Sequence, residues 1–351
     1  MIKTAITEMF GIRHPIICGA MMWICKPKLC AAISNAGGMG NLTAGIYDSE
    51  EEFRQAIHET RKLTNEPFMV NVTILPSVRI TREHYKMYLR VCAEERIAGL
   101  EISGAPIDKA LGLEYIDMLK KAGVKLFHKV GSVRHAIHAQ QVGYDGVYAA
   151  GIEEGGHPLN DDVTTMVLTA RMVETLSIPV VTTGGISNGK TMAAALMLGA
   201  EGVMMASRFM ATVECEIHEN IKNELVARQE HHTTLICKSI ELQGRALRND
   251  LVEKILEVET RNGGLTEIIP LMSGERAKAA WMTGDVDCAP MMVGQSIGLI
   301  HDIPTCAELI ERMMADAEGQ IKHVAERMQA SEESRPGREA SRIQPEERSH
   351  R

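Results

Sequence analysis

A histidine stands in the run Gly151-Ile152-Glu153-Glu154-Gly155-Gly156-His157-Pro158, directly after a short β-rich stretch. Its imidazole titrates near neutrality, so it can donate a hydrogen bond or a proton to an oxygen that gains charge during a reaction. Two later runs, Thr183-Gly184-Gly185-Ile186-Ser187 and Met205-Ala206-Ser207-Arg208, also close β-rich stretches. Glycines let a backbone approach an anion, and the free N–H groups at a helix start point toward it. The two loops together make a phosphate cradle, with His157 beside the phosphorylated group it holds. Neither G-x-G-x-x-G after a strand nor G-x-x-x-x-G-K-[ST] occurs, so a separate dinucleotide fold and a P-loop are both unsupported.

Two more side chains join these candidates. Asn71, in Met69-Val70-Asn71-Val72 at the end of a strand, carries an amide that can read a ring edge with mixed donors and acceptors. Lys129, in Phe127-His128-Lys129-Val130, either stabilises negative charge on a reduced ring or pairs with a neighbouring strand's carboxylate such as Glu101. Asp161-Asp162 either orients the His157 loop or starts a solvated helix. His135, His138, His231 and His232 read as structural, because none has the carboxylate arrangement of a metal site. No metal is expected.

Bringing these residues to one face requires a parallel sheet. Strands are expected at His14–Ala20, Gly38–Ala44, Pro67–Thr73, Gly99–Gly104, Val124–Val130, Asp145–Ala150, Ile178–Thr183 and Gly202–Ser207. Helical patterns fall between them, among them Lys28–Asn35, Glu50–Leu63, Ile107–Lys121, Val133–Val142, Thr164–Leu176 and Lys190–Leu198. Eight such units give an α/β fold, a (β/α)8 TIM barrel whose chemistry sits at the carboxyl ends of the strands. Residues 1–210 form the barrel. After strand 8 the rhythm changes: 211–288 reads as an inserted, helix-rich subdomain covering the mouth. Residues 289–330 return the chain and add a closing helix from about Thr305 to Met328, and 331–351 read as a disordered polar tail.

At 351 residues the chain exceeds a minimal barrel of ~250 by enough for that subdomain and tail. A net charge of −8 without any basic run argues against nucleic acid or an anionic membrane surface, leaving a small-molecule substrate. No apolar stretch nears the ~20 residues of a membrane span. The start also lacks a signal-peptide pattern, so the cytoplasm is expected. The eight cysteines form no C-x-x-C pair, which removes zinc ribbons and thioredoxin-type motifs. They read as reduced core residues, Cys25 in the first βα loop included. Oligomeric state stays open, a homodimer being one option.

The motifs also carry a likeness. His14-Pro15-Ile16-Ile17 with Gly19-Ala20-Met21, Ser34-Asn35-Ala36-Gly37-Gly38, Pro67-Phe68-Met69-Val70-Asn71, His128-Lys129, Gly155-Gly156-His157-Pro158, Gly184-Gly185-Ile186, Ser207-Arg208-Phe209 and Arg245-Ala246-Leu247-Arg248-Asn249 stand in this order. Over roughly residues 8 to 325 the chain resembles the nitronate monooxygenase (2-nitropropane dioxygenase-like) superfamily of FMN barrels. Through Trp23 and the His-Pro followed by Asp-Asp it is similar to the NADH:quinone reductase group.

The resemblance implies FMN, with its phosphate on Gly184, Gly185, Ile186, Ala206 and Ser207 and its ring near Ala20, Met21, Met22, Asn71 and Lys129. Gly155 and Gly156 belong to the same cofactor site, and Gln295 would reach the flavin or its ribityl chain. His157 falls at the catalytic position. The implied reaction passes hydride from NADH or NADPH through the flavin to a quinone or a conjugated carbonyl. Alternatives are a nitronate monooxygenase using O2, an enoyl-thioester reductase, and a flavin-binding sensor without turnover. Three departures stand out: Leu159-Asn160 after the His-Pro, Cys25-Lys26 in a loop that is usually small and neutral, and Ala206-Ser207 in place of Gly-Thr. The first two bear on the substrate, since both loops would face the ring.

Overall fold

The structure is a computed structural model that describes residues 2–77, 79–159 and 161–333. Its eight parallel strands are β1 Ile16–Cys18, β2 Gly40–Thr43, β3 Phe68–Ile74, β4 Gly99–Gly104, β5 Lys125–Val130, β6 Gly146–Ala150, β7 Val180–Thr183 and β8 Gly202–Met205. They pair in sequence order from β2 to β8, and β8 then pairs with β1. A parallel bridge between Ile17 and Met39 closes the ring, carried by Cys18 N–H to the Met39 carbonyl (2.9 Å) and Met39 N–H to the Ile16 carbonyl (2.8 Å). All eight expected strands are present, most of them trimmed by a few residues at their ends. The helix expected over Ile107–Lys121 is divided into Ile107–Ala110 and Leu113–Lys121, because Gly112 takes φ +130 between them.

Side chains alternate across each strand, and this period decides what the barrel holds. The lower interior is apolar: Ile17, Met69, Phe127, Tyr148, Val181 and Met204 fill it. The first helix, Ala5–Phe10, plugs the base, with the Phe10 ring 5.7 Å from Phe127. One step higher, the inward positions turn polar, as Asn41, Asn71, Glu101 and Lys129. The layer change sets the floor of a site at the carboxyl ends of the strands.

Residues 211–288 contain the helices Glu219–Ala227, Asp250–Thr260 and Gly274–Thr283. They also contain an antiparallel pair, β9 Thr233–Ile236 with β10 Gly244–Leu247, which the helical reading of this segment did not foresee. Both strands are four residues long, too short for alternation to announce them. The closing helix spans Cys306–Glu333, so it runs past Met328 and takes in the first three residues of the expected tail. Residues 334–351 of that tail lie outside the described residues. No helix among the described residues is long and apolar enough to cross a membrane.

The closing helix packs along the helix Gly189–Met197 so tightly that a Cβ on Gly189 would collide with the Met313 carbonyl. Gly189→Ala is therefore expected to cost about 1–3 kcal/mol in a denaturant titration, the usual range for overpacking. Gly319, exposed and with nothing within 4 Å of a built Cβ, serves as the opposite case. Gly319→Ala should stabilise by about 0.5–1 kcal/mol, the helix-propensity difference between the two residues.

Candidate active site

The polar layer at the rim is one hydrogen-bonded system. Lys129 Nζ lies 3.3 Å from Glu154 Oε2, a carboxylate supplied by the loop after β6. Glu101, 1% exposed, accepts from Asn41 Nδ2 and from Ser103 Oγ at 3.0 Å. Asn41 also donates to the Cys18 carbonyl (3.1 Å), tying β2 to β1. Burial raises the Glu101 and Glu154 carboxyls above the ordinary range, and the Lys129 charge offsets part of that rise. Burial pulls Lys129 down in turn, but Glu154 and Glu101 together outweigh it and leave the ammonium raised. Lys129 therefore holds its proton at neutral pH. The sequence offered Glu101 as its partner; the direct contact is with Glu154, and Glu101 acts at longer range. Asn71 sits in the middle of β3, not at its end, fully buried. It donates weakly to Ser103 Oγ (3.4 Å) and the Glu101 carbonyl (3.5 Å), and accepts from Thr73 Oγ1 at 3.0 Å.

The loop after β6 is held from both sides. Gly156 forms an antiparallel bridge with Arg245 on β10, with Arg245 N–H donating to the Gly156 carbonyl at 2.7 Å. The Arg245 guanidinium, itself buried, donates to the Ile152 carbonyl (2.9 Å) and to Thr233 Oγ1 (3.1 Å). On the other side Gln295 N–H donates to the Glu153 carbonyl at 2.9 Å. Gly155 and Gly294 cross so closely that a Cβ on Gly155 would lie 2.7 Å from the Gly294 nitrogen. Glu153 Oε2 accepts from the N–H of Thr165 (2.7 Å) at the start of the next helix. Asp162 adds only an exposed 3.8 Å pair with Lys238, a weak tether.

His157 is thereby fixed with Nδ1 3.0 Å from the Gln243 carbonyl, while the Gln243 amide donates to the Leu159 carbonyl at 3.1 Å. A carbonyl can only accept, so Nδ1 carries the proton and the Nε2 lone pair is free. The ring is exposed, with the turn before β10 packed beside it. Desolvation by these neighbours lowers its pKa below the ordinary 6.5; the Gln243 bond opposes the shift and the Lys129 charge adds to it. His157 is thus a neutral imidazole at pH 7 and presents a base, where the sequence suggested a donor.

The strand ends β7 and β8 make the cradle. Gly184 and Gly185 take φ +87 and +77, a region that favours glycine, and a Cβ on Gly184 would lie 2.9 Å from the Glu154 nitrogen. The N–H groups of Gly185 and Ile186 find no acceptor among the described residues. Asn188 caps the helix Gly189–Met197 through the Thr191 N–H (3.0 Å). Ser207 Oγ accepts from Gly294 N–H at 3.1 Å and keeps its own proton to donate. Ala206 stands against Gly19, where a Cβ would lie 3.2 Å away. Ala20, buried Met21 and exposed Met22 lead from there into the first loop, and Gln295 flanks the cradle, half-buried. Free N–H groups, a hydroxyl and a helix start suit a phosphate. No group of three metal-ligating side chains occurs among the described residues.

Cys25 does not face this site. Its thiol is buried 3.8 Å from Cys18 Sγ, on the helix side of β1. Four contributors escaped sequence reading as individuals: Glu154, Asn41, Gln243 and Arg245. For Arg245 the sequence held only a family likeness, because its partner Ile152 is 93 residues away.

Residues 3–316 match the model of a family described as nitronate monooxygenase. A relative from Rhodococcus jostii (strain RHA1), named (3aS,4S,5R,7aS)-5-hydroxy-7a-methyl-1-oxo-octahydro-1H-indene-4-carboxyl-CoA dehydrogenase, is 31% identical over 90% of this chain and 96% of its own. A probable nitronate monooxygenase from Staphylococcus aureus is 28% identical over 84% of this chain and 92% of its own. Among solved structures, FabK from Thermotoga maritima aligns with a TM-score of 0.85 at 32% identity, covering 93% of this chain and 99% of that one. A nitroalkane oxidase from Streptomyces ansochromogenes aligns with a TM-score of 0.77 at 25% identity, over 92% and 100%.

Two substitutions probe the geometry. Lys129→Met leaves two buried carboxylates uncompensated and should cost about 3–5 kcal/mol of stability at neutral pH. With both carboxyl pKa values raised in the fold, that deficit shrinks as pH falls and the groups take up protons, which denaturation at pH 7 and pH 5 would read. Arg245→Met keeps the apolar body and removes the anchor of the His157 loop. Its kcat/KM should fall about 100-fold, the cost of a misplaced reacting group, while the far-ultraviolet spectrum stays that of the parent.

Proposed function

This chain belongs to the nitronate monooxygenase family, and on that premise we propose that it is a flavin oxidoreductase acting on acyl thioesters, with NADH or NADPH as the other redox partner. The observation that carries the reading is the His157 ring: protonated on Nδ1 by its bond to Gln243, with its pKa lowered, and left with a free Nε2. A neutral imidazole in this setting takes a proton from an acidic C–H. The carbon next to a thioester carbonyl carries such a hydrogen, whereas a quinone, the acceptor first suggested by the sequence, has none to lose. The conjugated carbonyl of that expectation is therefore kept, in the form of an enoyl thioester. The carboxyl-CoA in the name of the Rhodococcus relative supports this choice.

Gly185 and Ile186 N–H and Ser207 Oγ would hold the FMN phosphate, and Gly19, Ala20 and Met21 would wall its ring. When bound, the flavin supplies hydride transfer at its ring. In the oxidising direction His157 Nε2 takes the proton from the carbon beside the carbonyl; in the reducing direction Nε2 first takes a proton from solvent and then delivers it to that carbon. Lys129, kept charged between Glu154 and Glu101, places a positive charge at the rim where the ring would gain electrons. A second reading, oxidation of nitroalkanes, uses the same base, since a nitro group also acidifies its neighbouring C–H. The family description and the Streptomyces structure favour it.

The purified flavoprotein should be bleached anaerobically by NADH or NADPH and reoxidised by an enoyl-CoA such as crotonyl-CoA, and not by nitroethane. Bleaching by nitroethane alone selects the second reading. For thioester oxidation kcat/KM should climb with pH through a pKa below 6.5, because the base works only when neutral. His157→Asn should lose 10²–10⁴ in kcat, the usual worth of a positioned acid–base group, with flavin content unchanged. Full turnover by that variant would end the role given to His157.

A further inference from the structure

The mouth of the barrel carries a cluster that the chemistry above does not use. Trp23, in the loop after β1, holds φ +67, a left-handed conformation that is costly for an aromatic residue. Its ring is met by two cations: Arg79 from the loop after β3, with Cζ 4.9 Å from the ring centroid, and Lys278, with Nζ at 4.7 Å. Trp23 Nε1 is buried without a hydrogen-bond partner, and a Cβ on Gly274 would lie 3.8 Å from it. Gly274 opens the helix Gly274–Thr283, and Lys278 sits one turn further along the same face.

The charges are unbalanced. Arg79 pairs with Asp48 and with the Gly45 carbonyl. Lys278 has no carboxylate within ion-pair reach among the described residues, although the chain as a whole is acidic at −8. Asp48 balances Arg79, so one positive charge at the ring stays uncompensated. An anion would balance it, with the Lys278 ammonium and the helix start as its first donors and Arg79 beside them. In the strand order, β1 to β3 lie across the ring from β6. A ligand whose reacting end meets His157 and which crosses the mouth would reach the Trp23 side with its far end.

We propose that Arg79, Trp23 and Lys278 seat the phosphoryl groups of the extended ligand whose reacting end lies at His157. Two ligands of the reaction proposed above carry a diphosphate, a coenzyme A thioester and a nicotinamide dinucleotide, and the seat serves the one whose affinity depends on Lys278. The assignment rests on the mouth being the active site, but it concerns binding and not turnover.

Isothermal titration of the FMN-loaded protein with coenzyme A, pantetheine, NADH and NADPH tests it. Lys278→Gln should weaken coenzyme A or the dinucleotides about tenfold, Lys278→Glu more, and Lys278→Arg should restore most of the loss. Pantetheine, which lacks phosphate, should bind parent and variants alike. Loss confined to coenzyme A identifies the thioester carrier; loss confined to NADH and NADPH identifies the nicotinamide. Equal binding of all four compounds by the parent and Lys278→Glu would overturn the seat, as would equal weakening of pantetheine. A Lys278-dependent affinity for coenzyme A without thioester turnover would keep the seat and remove the thioester reading. Exposed Lys278 makes no structural contact beyond the ring, and unchanged melting of the variants separates binding from folding.

Discussion

One loop carries the site, and contacts distant in sequence fix it. The segment from Gly151 to His157 leaves the barrel at β6 and is clamped between the antiparallel hairpin and the returning chain. The Gly156–Arg245 bridge holds one side and the Glu153–Gln295 bond holds the other. Neither clamp is local in sequence. Glycines 155 and 294 are what allow the backbones to cross at this distance, because a single Cβ on either would strike its neighbour's main chain, while Gly156 supplies a φ of +98. The segment 211–288 therefore takes part in the site. Its hairpin supplies both the bridge and the Gln243 carbonyl that sets the tautomer of the His157 imidazole.

Beneath the loop, the barrel changes character within one turn of the strand period. Phe127 and Tyr148 close the apolar layer with ring centroids 5.4 Å apart. Lys129, two residues beyond Phe127 on the same inward face, begins the polar layer. A single ammonium stands among two buried carboxylates there, an arrangement that holds the lysine charged while keeping both acids reluctant to ionise. The same ammonium depresses His157 slightly across the mouth. Charge at the rim and basicity in the loop are thus coupled, with Glu154 joining the two: its carboxylate meets Lys129 and its backbone nitrogen closes against Gly184 of the cradle.

What the sequence disclosed follows from how local each signal is. Strand–helix alternation is local, and all eight strands were legible, as were the turns after β7 and β8 and the histidine after β6. The hairpin was not, because Thr233–Ile236 and Gly244–Leu247 are too short for a period to show and their stability comes from packing on the loop. The partner of Lys129 was also misjudged. Glu101 lies on the adjacent strand and was the natural choice, but the loop folds Glu154 back over the rim. His157 was found by position, whereas its tautomer depends on a carbonyl 86 residues away that no spacing rule could reveal. Cys25 shows the converse: proximity in sequence to the site did not place its side chain there.

The neutral Nδ1–H imidazole of His157 is the element on which the chemistry turns. Nitrogen-15 NMR of the histidine-labelled protein, titrated across neutral and acidic pH, measures it directly. A Nδ1–H tautomer at pH 7 with a pKa below 6.5 is the expected result. A Nε2–H tautomer, or a pKa above 6.5, would contradict the assignment of His157 as the base.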